Sequence, residues 1–190
     1  MKVIGLTGTL CSGKGSVKEI ISRKFNCYSV SLSSIIKAET EKKSSELNRK
    51  VLQNKGNELR KNYGPDILAR LATDYMQRDK EILIVDGIRN PAEVEYLRKK
   101  FGKNFFLIAV DAPREIRFER MVKRNRKDDP KTWEEFLEVD ERDLGKGEPD
   151  YGQQVKKCME KADFLIINDK DLKDLEQKVD EIMLKIKEVG

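Results

Sequence analysis

The residues best suited to chemistry lie at positions 8–16, which read Gly8-Thr9-Leu10-Cys11-Ser12-Gly13-Lys14-Gly15-Ser16. The spacing is G-x-x-x-x-G-K. It follows a short apolar run, Lys2 to Thr7, and precedes helical spacing at Val17, Ile20, Ile21 and Phe25. Strand, glycine loop and helix in that order make an anion cradle. Glycines let the backbone wrap a phosphate, so that successive N–H groups and the helix N-terminus face it. Lys14 adds a mobile cation at the β- and γ-phosphates of a nucleotide. Gly8, Cys11, Ser12, Gly13, Lys14, Gly15 and Ser16 are therefore the candidate nucleotide-binding residues. Gly15 follows Lys14, so the hydroxyl that usually ligates Mg²⁺ in this motif is displaced to Ser16. Cys11 is a candidate for oxidation, not a nucleophile.

Further candidates sit where other apolar runs end. Asp86-Gly87-Ile88-Arg89 offers a carboxylate for a metal-bound water and a guanidinium for an anionic substrate. Leu32-Ser33-Ser34-Ile35-Ile36-Lys37 offers Lys37 as a cation for a second substrate, or an ordinary helix N-cap with a surface lysine. Arg60 and Tyr63 offer a phosphate grip and a stacking ring. Arg114, Arg117, Arg120, Lys123, Arg124 and Arg126 form the densest basic cluster, with Arg117, Arg120 and Arg124 spaced along one helix face. Arginines brought in from a mobile element stabilise the charge spread over a transferring phosphoryl group. The plain alternative is a solvated face paired with Glu115 and Glu119. Asn168 ends the last apolar run and is placed to read a donor base or to begin a helix. Asp128-Asp129 and the acidic series from Glu134 to Glu141 match no calcium loop and read as solvated.

The elements that must position these residues alternate. Apolar runs at Lys2–Thr7, Cys27–Leu32, Glu81–Val85, Asn104–Val110 and Ala162–Ile167 read as strands. Amphipathic patterns separate them. Ile67, Leu68, Leu71, Ala72, Tyr75 and Met76 form one apolar face, and Leu172, Leu175, Val179, Ile182, Met183 and Ile186 another. Leu47, Val51, Leu52 and Leu59 mark a more exposed helical segment over Thr40 to Lys61. A helix is expected after Asn90-Pro91, a basic helix over Arg114 to Lys127, and a short helical piece at Trp133 to Val139 within a polar stretch. The alternation implies an α/β fold with a five-stranded parallel sheet covered on both faces, its ligands at the strands' carboxyl ends.

The 190 residues suit one domain. Zero histidines exclude Ser-His-Asp triads and His-ligated zinc, and three scattered cysteines exclude a disulfide scaffold. No apolar run is long enough to span a bilayer, and the N-terminus lacks a secretory pattern, so a cytoplasmic protein is expected. The net charge of +5 fits nucleotide or nucleic-acid partners as well as ordinary surface charge.

The whole chain resembles a family of small P-loop kinases related to adenylate kinase, dephospho-coenzyme A kinase and phage deoxynucleoside monophosphate kinase. Met1–Ser16, Val85–Glu95, Pro130–Gly145 and Ala162–Asp169 carry the resemblance. It implies a three-layer P-loop NTPase sandwich over residues 1–190, with an acceptor-binding excursion at about 37–63 and a lid at about 113–149. It implies ATP and nucleotide substrates, and Mg²⁺ held largely through water with Asp86 or Asp111 as helper. By this resemblance Lys14, Asp86, Arg120 and Arg124 are catalytic candidates. Arg117 and Asn168 join the donor site, and Lys37, Arg60, Asp86 and Arg89 the acceptor site. The related monophosphate kinases carry an Asp and an Arg where this chain has Ser34 and Lys37. Dephospho-coenzyme A kinases carry an Asp-rich turn after the second strand, where this chain reads Ser31-Leu32-Ser33-Ser34. An acceptor that needs no base fits this turn best, which favours a nucleoside or deoxynucleoside monophosphate. Dephospho-coenzyme A, or a regulatory nucleotide-binding module acting on RNA, are the alternatives.

Overall fold

The computed structural model describes residues 1–41, 49–75, 77, 79–127 and 129–189. Its centre is a parallel sheet of β1 (Lys2–Gly8), β2 (Cys27–Ser31), β3 (Ile82–Asp86), β4 (Phe105–Asp111) and β5 (Phe164–Ile167). The strand order is β2-β3-β1-β4-β5. Leu6 of β1 pairs with Asp86, and Gly8 with Val110. The ends of β1, β3 and β4 therefore open on the same side, where a parallel sheet places its ligands.

Both sheet faces are covered, so the central strands are apolar throughout instead of alternating. Val3, Leu83, Val85 and Leu107 pack against residues of α2 (Leu32–Glu41), α3 (Arg49–Tyr63), α4 (Ile67–Asp74), α5 (Pro91–Phe101) and α8 (Val155–Glu160). Ile4, Leu6, Ile84 and Ile108 pack against α1 (Lys14–Lys24) and α9 (Leu172–Glu188). A third, smaller cluster joins Leu10 of the glycine loop to Met121 of α6 (Arg114–Arg124) and to Phe136 and Val139 of α7 (Trp133–Leu144). Trp133 stacks on Phe136 at 5.4 Å between ring centres and meets Phe118 edge-on at 5.2 Å.

The expected strands and the helix after Asn90-Pro91 are present. Asn90 caps α5, and Glu93 closes a capping box with it. Four expectations shift. The second strand ends at Ser31, and α2 begins at once with Leu32, so Ser33 and Ser34 lie in its first turn. The exposed segment around residues 40–61 contains α3, whose Leu52, Gln53, Gly56, Leu59 and Arg60 are buried. The short piece at Trp133, opened by a capping box of Thr132 and Glu135, extends to Leu144, because Asp140 and Asp143 are buried with arginine partners and Gly145 closes the helix. Tyr75 is exposed beyond the end of α4. The expectations for Leu47, Met76 and Asp128 lie outside the described residues. Among the described residues no helix is long and apolar enough to cross a membrane.

Candidate functional site

The glycine loop runs from the end of β1 into α1. Its conformation explains its composition. Gly8 has φ +135°, and a Cβ there would meet the Val110 carbonyl oxygen at 2.0 Å. Gly13 has φ +104°, and a Cβ would meet Asn168 Nδ2 at 2.2 Å. Side chains are disfavoured at both positions by strain and by space. By contrast, nothing lies within 4 Å of a Cβ built at Gly15. Cys11 also adopts a left-handed conformation, with φ +60°. Burial raises its thiol pKa, which leaves it a poor nucleophile.

Lys14 Nζ donates to the carbonyls of Gly8 at 2.9 Å and Thr9 at 2.6 Å, so the ammonium spans its own loop. Burial, with Arg89 next in weight, lowers its pKa to about 8. The lysine is thus held where the charge of a bound phosphate would restore it. Two side chains buttress the loop from behind. Asn168 Nδ2 donates to the Ser12 carbonyl at 2.8 Å. Thr9 Oγ1 donates to Asp111 Oδ1 at 2.6 Å.

A cleft of about 680 Å³ opens above the loop. Lys14, Ser16, Asp86, Arg89, Arg120 and Arg124 all line it, and so does Lys37 of α2. Asp86 sits at the end of β3 with Lys18 at 3.5 Å. Arg120 reaches the Ser12 carbonyl and Asn168 Oδ1, each at 3.5 Å. Arg124 is held by Asp129 through two bonds of 2.6 Å. Asp86 and Ser16 share the cleft, a pairing that suits a cation carried in by nucleotide phosphates, since Mg²⁺ keeps several waters and needs few protein ligands. Asp111 is turned to Thr9 and the Ala112 N–H and lies outside this cleft. Of the two expected helpers, only Asp86 faces it.

The structure places four expected site residues elsewhere than on the cleft lining. Arg117 is buried and does not line the cleft. It makes a two-pronged pair with Asp140 at 2.5 and 2.9 Å and donates to the carbonyls of Leu10 and Ala112. Its helix face turns inward because Asp140 and the Phe136 ring receive it. Arg60 is 1% exposed and pairs with Glu93 below the cleft floor. Tyr63 is exposed at the end of α3 and lines no part of the cleft. Asn168 supports the loop from a buried position. Among the described residues no three His, Cys, Asp or Glu side chains cluster as a metal site.

The sequence reading missed Arg49 and Gln153. Arg49 lines the cleft and pairs with Asp143 at 3.0 Å. Asp143 also receives Arg89 Nη1 at 3.2 Å and Gln53 Nε2 at 2.6 Å. Burial works to raise the Asp143 pKa, but Arg89, Arg49 and Gln53 outweigh it and bring it to about 2. No local pattern marks Arg49, because its partner is 94 residues away.

An all-parallel sheet in this strand order, with an anion cradle after its central strand, defines a P-loop kinase-like fold. Residues 4–145 match a sequence family described as an AAA domain. The chain is 36% identical over 189 residues to a UPF0200 protein of Methanocaldococcus jannaschii, covering 98% of this chain and 91% of that one. A UPF0200 protein of Pyrococcus horikoshii is 31% identical, with 97% of each chain covered. The chain belongs to the UPF0200 family. Its fold is similar to that of a shikimate kinase from Bacteroides thetaiotaomicron, with a TM-score of 0.60, 15% identity and 98% of each chain covered.

Proposed function

We propose that the chain, acting as one kinase unit over residues 1–190, transfers the γ-phosphoryl group of ATP to a nucleoside or deoxynucleoside monophosphate. The observation that carries this reading is the make-up of the cleft. Phosphate-loop residues line it together with Lys37, Arg49, Arg89, Arg120 and Arg124, so that cations surround the space beside Lys14. Two anionic phosphates brought together need such screening, and a phosphate acceptor needs no general base. The junction of β2 and α2 supplies Ser31, Ser33 and Ser34 to the cleft and no carboxylate.

In this reading the loop N–H groups and Lys14 bind the β- and γ-phosphates. Lys37 and Arg89 hold the acceptor. Arg120 and Arg124, on the lid of about 113–149, neutralise charge on the phosphoryl group in flight. Ser16 and Asp86 would hold Mg²⁺, Asp86 through water, and the metal would supply charge neutralisation between the phosphates. Arg117 acts from behind, by fixing the Leu10 carbonyl of the loop.

A coupled ADP-release assay tests the proposal, with ATP and Mg²⁺ against ribo- and deoxyribonucleoside monophosphates and dephospho-coenzyme A. Turnover that depends on one monophosphate is expected. Turnover with dephospho-coenzyme A alone would assign a hydroxyl acceptor. No turnover with any acceptor, combined with salt-sensitive RNA binding, would favour a regulatory module.

A further inference from the structure

Arg120 and Arg124 stand four residues apart on α6 and both line the cleft, but they are held in different ways. Arg120 reaches its two acceptors at 3.5 Å each, longer than an ordinary N–H···O bond. Arg124 donates from Nε and Nη2 to the two carboxylate oxygens of Asp129, at 2.6 Å each. Two parallel charge-assisted bonds fix the plane of a guanidinium as well as its position.

Asp129 does not line the cleft. Its side chain is 4% exposed, against 32% for Arg124, so the carboxylate stands behind the arginine. A buried carboxylate depends on its partner, and this keeps the pair together. Burial dominates the Cys11 thiol, and Arg124 and Asp129 are the next two influences on it, so the pair stands beside the glycine loop.

The local backbone sets up the contact. Asn125 takes a left-handed conformation, φ +44°, and its N–H closes α6 on the Met121 carbonyl at 3.2 Å. Asparagine tolerates that conformation better than most residues. The Asp129 N–H donates to the Arg126 carbonyl at 3.2 Å. Lys131 Nζ donates to the same carbonyl at 2.8 Å and to Asn125 Oδ1 at 3.3 Å. These contacts return the chain to the end of α6 and set residue 129 against residue 124.

We propose that Asp129 is a positioning residue that aims Arg124 at the transferring phosphoryl group. Its pair engages the Nε edge of the guanidinium, and a phosphoryl oxygen would meet the other edge. A long side chain loses rotamer freedom when it is fixed. Asp129 fixes this one before substrate arrives, so the charge is preorganised for the transition state. The inference rests on the phosphoryl-transfer reading. It adds that the two lid arginines differ: Arg124 is set in advance, and Arg120 is drawn in by the substrate.

The test uses the full chain, ATP, Mg²⁺ and the acceptor that the coupled assay selects. Asp129→Asn keeps the size of the side chain and removes its charge and one acceptor oxygen. It should lower kcat by about ten- to a hundredfold and leave the KM for ATP nearly unchanged, since aim is lost and ground-state binding is not. Asp129→Glu can rebuild the pair and should recover much of the rate. The double variant separates aim from mere support. In an Arg124→Ala background, Asp129→Asn should cost nothing further in kcat, because Asp129 acts only through that arginine. Arg124→Lys keeps the charge and loses the two-pronged pair, so it should match Asp129→Asn and serves if that variant does not fold. The inference is overturned if Asp129→Asn keeps or raises kcat, if its loss persists in the Arg124→Ala background, or if Arg124→Ala alone retains the full rate. The kinase reading stands in each of these cases. If the unchanged protein phosphorylates no acceptor, both readings fall.

Discussion

At the scale of single residues, Lys14 governs the site. Its ordinary pKa of 10.5 is lowered to about 8 by burial and the neighbouring Arg89. The sign follows. Above the lowered value the free protein holds Lys14 neutral, and bound phosphates draw the proton back. At about pH 8.5 nucleotide binding should take up a large fraction of a proton, and affinity should fall as pH rises further. Calorimetry in two buffers of different ionisation enthalpy measures this, and zero uptake would contradict the lysine's role. Lys14→Met should lower transfer by roughly 10²–10³-fold with the fold intact, by analogy with loss of one oxyanion donor. Gly13→Ala would place a Cβ 2.2 Å from Asn168 Nδ2 at positive φ. It should cost about 1–3 kcal/mol in stability and weaken nucleotide binding, as read from urea unfolding and analogue titration. Lys14, Asp86 and Arg89 were legible in the sequence because each lies at a strand end or in a spaced motif. Arg60 and Arg117 were legible only as cations. Helical spacing assigns a shared face, but which face turns inward depends on carboxylates 33 and 23 residues away, Glu93 and Asp140.

At the scale of elements, α6 and α7 are fastened to the glycine loop. Leu10 joins their apolar cluster, and the Arg117–Asp140 pair ties α7 to the Leu10 carbonyl. Both partners are almost wholly buried, at 2% and 0% exposure. Asp140→Ala leaves Arg117 charged and unpaired, at a cost of about 3–5 kcal/mol. For a chain of this size each kcal/mol lowers the thermal midpoint by roughly 2–4 °C. A drop of about 6–20 °C is therefore expected in a melting experiment, and an unchanged midpoint would show that the pair holds nothing. The end of α7 could have been read from its sequence, since Gly145 closes it in a left-handed conformation. Its acidic residues looked solvated because their arginine partners are distant in the chain.

At the scale of the whole molecule, the sheet order brings separate segments to one rim. β1 brings the phosphate loop, β3 brings Asp86 and Arg89, and the region after β4 brings Arg120 and Arg124. The alternation of apolar runs with helical patterns made this architecture legible, whereas the polar network around Asp143 was not. Arg49, Gln53, Asp143 and Gln153 come from three regions that only the fold assembles. Asp143 links that assembly to acid stability. Its pKa of about 2 lies below the ordinary 3.8, so its contribution is complete above about pH 4 and disappears as pH falls through 2. That step amounts to about 2 kcal/mol. Urea midpoints between pH 7 and pH 2 should show it, and Asp143→Asn should remove the step while lowering stability at neutral pH.

The most direct test of the central claim is a single-turnover experiment with γ-labelled ATP, Mg²⁺ and a mixture of nucleoside monophosphates. Label recovered in a nucleoside diphosphate is the predicted result. Label released only as inorganic phosphate, or left entirely in ATP while the nucleotide is bound, would contradict phosphoryl transfer to a monophosphate.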